Sequence, residues 1–320
     1  MDELRTAAET AMGQCVALGP EETCLIVTDE NRLEIGTALY EVARTIAEDV
    51  VLLQYPPGPE HGAEPPRPVG SAMRATDVFL APTTKSLSHT RARGSASEAG
   101  ARGATLPGIT PEVFIQGLAA DYDRIAAECR RVYEAVTDAS EVRVTAPAGT
   151  DITFDIGDRS WREDTGLVHE PGSFSNLPAG EVFVSPDSAT GTYVVDGTIR
   201  PYGKLDSDQT VRIDVEDGYA VEIHDPEVAA SFERAEASVG RDAYNVAELG
   251  IGTNVAVSEL VGSVLLDEKA AGTVHIALGD DASIGGTVDA PIHADGVIRD
   301  PQVFVDGSPL ELPAPGASSE

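Results

Sequence analysis

Short apolar runs separated by helix-length stretches fill the first 140 residues, and no other feature constrains the fold as strongly. Apolar runs stand at 23–28 (TCLIVT), 50–53, 78–81 (VFLA) and 104–106; helical periodicity covers 2–18, with Gly19 as a stop, 33–48 and 91–102. Strands that alternate with helices build a mainly parallel sheet with helices on both faces. A stretch rich in Pro and Gly at 55–68 reads as an exposed connection, and one long helix over 111–136 closes an α/β domain of residues 1–140.

From residue 141 the pattern changes. Short alternating segments at 142–146, 152–156, 181–185, 192–195, 210–215 and 219–224, divided by Gly, Asp and Pro turns, predict a strand-rich α+β domain over 141–320. A single further helix, Pro226–Val239, follows Asp225 as its N-cap. The tail at 313–320, PAPGASSE, is expected to fray. A length of 320 residues is enough for two domains, each with its own core.

Charge narrows the classes of partner. Against 54 acidic residues stand 22 basic ones, a net charge of -32, and the only lysines are Lys85, Lys204 and Lys269. Such a field repels nucleic acid and anionic membrane surfaces. Carboxylates spread along the whole chain, with Lys depleted in favour of Arg, fit a surface that stays hydrated in concentrated salt, so a halophilic source is expected. No segment approaches the roughly 20 apolar residues of a membrane span, and MDELRTAAET has no apolar core of a leader, so the expected location is the cytoplasm. Cys15, Cys24 and Cys129 form no CxxC pair and read as buried thiols.

Candidate chemistry collects in four segments of the second domain: NLPAGEVFVSP (176–186), AELGIGTN (247–254), GTVHIALGDD (272–281) and APIHADG (290–296). His293 and Asp295 are two apart, so on a strand both side chains leave the same face and can meet one ion. His275 sits in an apolar strand, where a buried imidazole needs a partner for its ring nitrogens. Glu181 and Glu248 adjoin apolar sequence, and a buried carboxylate needs a cation nearby. Basic side chains are scarce there, which makes divalent metal the alternative source of positive charge; nitrogen and oxygen donors without thiolate suit Zn, Co, Mn or Fe. His61, His89, His169 and His224 read as structural or exposed, and Asp280 and Asp281 as supporting or solvated.

In order and wording, the four segments resemble those of the thermophilic metallo-aminopeptidases of the aminopeptidase T or leucyl aminopeptidase type, of which this chain looks like a short, haloarchaeal-like member. The resemblance implies two divalent ions (Zn, Co or Mn) held by Glu181, Glu248, His275, His293 and Asp295, with Glu248 bridging. It implies a metal-activated water that removes the N-terminal residue of a peptide substrate, and a homodimer. A general base is not assigned. One departure stands out: the tyrosine ligand that the family carries seven residues after the first histidine is Ala282 here. The scaffold also resembles mononuclear iron dioxygenases that open 2,5-dihydroxypyridine, in which a histidine replaces the glutamate of ELGIGTN and completes a triad of two histidines and one carboxylate. Glu248 matches the peptidases, so the expected activity is hydrolytic, with the iron dioxygenase, or a metal-binding member of weak activity, as the alternatives.

Overall fold

A computed structural model describes residues 2–316. The chain divides into two compact units, residues 1–126 with 164–179, and residues 127–163 with 180–320. A single cut at 140 therefore does not reproduce the division, because residues 164–179 return to the first unit.

The first unit is built on a five-stranded sheet in the order Val50–Gln54, Cys24–Thr28, Val78–Thr83, Arg102–Pro107, Phe174–Asn176, with every pairing parallel. Every residue of Cys24–Thr28 and Val78–Thr83 is buried, as parallel strands covered on both faces require, and this is why they read as unbroken apolar runs. Leu25, Val27, Val69, Met73, Phe79 and Leu87 share one core cluster. Beneath the edge of that sheet Arg102 is 7% exposed; its guanidinium grips the Glu22 carboxylate with two hydrogen bonds of 2.6 and 2.7 Å and donates to the carbonyls of Val16 and Ala17. The mainly parallel α/β expectation holds for this unit.

Three local expectations are corrected. The stretch read wholly as a connection ends in a helix, Arg67–Arg74, started by Pro66 and Pro68. The 91–102 helix stops at Glu98, because Gly100 turns with φ 101° and residue 102 opens a strand. The long helix is two, Pro111–Leu118 and Tyr122–Val136, since Asp121 accepts the Asp123 N–H and starts a new helix.

The second unit carries two seven-stranded sheets. One runs Tyr219–Ile223, Val211–Glu216, Ser188–Val195, Asp151–Asp155, Glu141–Thr145, Gln302–Val305, Ser308–Leu310, with antiparallel pairings. Its Val211–Glu216 strand alternates buried and open residues, the signature of a half-covered antiparallel sheet. The other runs Gly203–Lys204, Thr198–Ile199, His293–Ile298, Val274–Gly279, Val246–Gly252, Glu181–Val184, Arg162–Asp164. At its centre Val246–Gly252 and Val274–Gly279 are buried at every position. The Pro226–Val239 helix begins where expected, with the Asp225 carboxylate accepting the N–H groups of Glu227 and Val228. In the tail, the Gly316 N–H donates to the Val255 carbonyl; residues 317–320 lie outside the described residues.

Candidate metal centre

Strand register gathers the five candidate ligands on one face of the second sheet. Along Val274–Gly279, residues His275, Ala277 and Gly279 share a face. On one side they pair with Gly250 and Glu248, and on the other with Val297, Asp295 and His293. Glu181 pairs with Gly252 on the next strand. Three of the five ligand candidates, Glu181, His275 and His293, thus stand opposite a glycine, and Asp295 and Glu248 both flank Ala277. A Cβ at Gly250 would overlap the His275 imidazole. Gly250 is thus the space into which the His275 ring folds, whereas Gly252 and Gly279 make room for the backbone carbonyls of Ala270 and Ile292.

The resulting cage is tight and dry. Glu181, Glu248 and His275 are 5%, 6% and 1% exposed, and the His293 side chain, at 33%, marks the open side. His275 Nε2 lies 3.2 Å from Glu248 Oε1 and 3.4 Å from Glu181 Oε2. His293 Nε2 lies 3.3 Å from Glu248 Oε2 and 3.4 Å from Asp295 Oδ1. Two overlapping donor groups result, Glu181–Glu248–His275 and Glu248–His293–Asp295, each with donor atoms within 4.8 Å of one another and both using Glu248. His293 Nδ1 donates to the Asp280 carbonyl at 2.7 Å, which leaves the Nε2 lone pair available to an ion.

Burial pushes Glu248 upward, but hydrogen bonds and charge from His275 and His293 outweigh it and hold the carboxyl below its usual range. Asp295 is also lowered, burial being outweighed by His293. Burial disfavours a charged His275, yet Glu248 and Glu181 raise it to about 9, and Asp295 and Glu248 raise His293 well above its ordinary value. Desolvation lifts Glu181 to about 8. The cage therefore draws positive charge, and protons on the imidazoles stand where a divalent ion would. The donors fit such an ion: two nitrogens, three carboxylates, no thiolate, and a buried Glu181 Oε2 that has no hydrogen-bond partner among the described residues.

The sequence reading does not single out Glu268 or Lys269. Lys269 Nζ bonds Glu181 Oε1 and lies 2.9 Å from Glu268 Oε1. The signal was present, as one of only three lysines in the chain sits six residues before His275. Asp280 contributes its carbonyl, whereas the buried Asp281 carboxylate accepts from Ser185, Asn245 and the Val288 N–H, pinning the 281–288 loop. That loop carries Ala282 to the surface. Of the other histidines, His61 Nδ1 accepts the Ser86 N–H, and His224 pairs with Asp214, whose carboxylate also accepts from Thr192 and Arg212.

The family model of the 2,5-dihydroxypyridine 5,6-dioxygenases, NicX, matches residues 14–311. The chain belongs to this family. A curated member, the 2,5-dihydroxypyridine 5,6-dioxygenase of Pseudomonas putida KT2440, is 26% identical over 219 residues; the match spans 63% of this chain and 61% of the relative, under two thirds of its length. The solved structure of 2,5-dihydroxypyridine dioxygenase from Pseudomonas putida KT2440 superposes with a TM-score of 0.78 at 18% identity, over 99% of this chain and 97% of that one. Wild-type AmpT from Thermus thermophilus follows at 0.69 and 18%, over 97% and 98%. At such identities both likenesses show the fold alone. Membership of the dioxygenase family overturns the expected aminopeptidase, its hydrolase class and the peptide substrate that came with it. The physical reason is that the four motifs specify strands and their register, and the fold they build is similar to that of both solved structures. No helix among the described residues is long and apolar enough to cross a membrane.

Proposed function

We propose that this chain is a metal-dependent dioxygenase that opens a dihydroxylated pyridine-type ring, with ferrous iron held by Glu248, His293 and Asp295. The observation that carries the reading is the Glu248–His293–Asp295 group, in which Glu248 holds the position where the resemblance to the dioxygenases puts a histidine of a triad of two histidines and one carboxylate. Here a carboxylate replaces one imidazole, and His275, 3.2 Å from Glu248 Oε1, brings the second imidazole to the far oxygen of the same carboxylate.

Bound iron would supply the one-electron chemistry that a spin-paired ring lacks toward dioxygen. The chain's residues do the rest. The Asp280 carbonyl fixes the His293 tautomer, and His275 orients Glu248. The buried floor of Glu181, Glu248 and His275 excludes water, so charge at the open, His293 side is felt at low dielectric. The distributed acidic surface supports a salt-adapted protein.

Protein loaded anaerobically with ferrous iron and mixed with 2,5-dihydroxypyridine and air should take up one O₂ per ring lost, and metal-stripped protein none. Iron-loaded protein that leaves oxygen and ring untouched defeats the reading.

A further inference from the structure

The cage holds four carboxylates, and they divide into two sets. Glu248 and Asp295 face His293, whereas Glu181 and Glu268 face Lys269. The second donor group, Glu181–Glu248–His275, is where a second ion would sit. One oxygen of Glu181 is already bonded to the Lys269 ammonium, itself 5% exposed. The main chain holds Lys269 in place: its carbonyl accepts the Asn254 N–H at 2.8 Å, and its own N–H donates to Leu266. Asp267, just before the pair, is buried and fixes the 261–262 backbone through the Val261 and Gly262 N–H groups.

We propose that Lys269 is a resident cation that takes the place of a second metal ion, limiting the cage to one ion on the Glu248–His293–Asp295 side. The inference rests on the cage being a metal site, as above, and not on which ring is cleaved. An ion on the Glu181 side would lie within a few ångströms of the ammonium in a low-dielectric pocket. Like charges so placed repel strongly, and with Glu181 Oε1 already on the ammonium such an ion would have only Glu181 Oε2, His275 and a Glu248 carboxylate shared with the other group to offset that repulsion. The carboxylates need positive charge there, and a fixed side chain supplies it without metal. Lys269 thereby also positions Glu181, turning Oε2 toward His275.

The test is ion stoichiometry. Wild type, Lys269→Met and Lys269→Arg are stripped and titrated with Mn(II), with ions per chain counted by elemental analysis and electron paramagnetic resonance. Wild type and Lys269→Arg should bind one ion with the six-line signal of isolated Mn(II). Lys269→Met should bind two, with the exchange-coupled spectrum of a close pair, a change that loss of packing alone would not produce. Two ions in wild type would overturn the Lys269 assignment and leave the metal site standing, and needs no variant to fold. One ion in folded Lys269→Met would also overturn it. No ion in wild type would remove the metal site itself, and this inference with it.

Discussion

Gly250 stands directly across from His275 on the neighbouring strand, and the imidazole occupies the space a side chain at 250 would fill. Gly250→Ala should therefore swing the ring away from Glu248 while leaving the strand pairing intact. Metal affinity should fall about 10- to 100-fold, the range seen when the support of a ligand is disturbed. Calorimetric titration with Mn(II) measures this, and an affinity equal to wild type would show that His275 has no part in the cage's hold on metal.

His293→Ala and Asp295→Ala each remove a donor from the group that shares Glu248. Both should lower bound metal per chain after purification, whereas His61→Ala, whose ring accepts the Ser86 N–H in the first unit, should not. Equal metal content in all three variants would dismiss the proposed ligands.

The Glu22–Arg102 pair makes stability depend on pH. The hydrogen bond from Arg102, above all, holds the Glu22 carboxyl below its ordinary value, so its contribution is complete above the unfolded pKa and is lost as pH falls through the lowered folded one. Glu22→Gln leaves a buried guanidinium without its counter-charge and should cost about 2–3 kcal/mol at neutral pH. The gap between variant and wild type should begin to narrow as pH falls below the ordinary glutamate value of about 4.3. Urea unfolding at pH 7 and pH 3.5 measures it; a gap that widens in acid would contradict the assignment.

An acidic excess spread over both units predicts salt dependence. Diluting the protein from molar KCl to about 0.1 M lengthens the screening distance to roughly 10 Å and should lower its melting temperature or unfold it. Unchanged circular dichroism and melting temperature in dilute buffer would remove the halophilic reading.

What the sequence made legible follows from how locally it is encoded. The central strands of the parallel sheet were visible because burial on both faces writes them as continuous apolar runs, and the five cage residues because each sits in a short strand word that also carries a glycine. The Arg67–Arg74 helix was hidden by the prolines that start it. The return of Phe174–Asn176 to the first sheet was hidden because a three-residue strand has no periodicity to read. Lys269 was missed for a different reason: what it does is set by Glu181, 88 residues away in sequence and adjacent only in the folded sheet. Activity was the least legible, since a glutamate at 248 matched one family's wording while the chain as a whole belongs to another.

The path of residues 164–179 limits how the molecule can be taken apart. The backbone passes between units after 126, after 163 and after 179, so neither unit is a continuous stretch of chain. A fragment ending near residue 140 would lack Phe174–Asn176, and the Arg102–Pro107 strand would present bare N–H and C=O groups at a new sheet edge. Such a fragment invites self-association instead of independent folding. The same threading bars a simple swap of the second unit onto another N-terminal module, because the graft would have to carry the sixteen-residue return with it and give the incoming sheet its last strand.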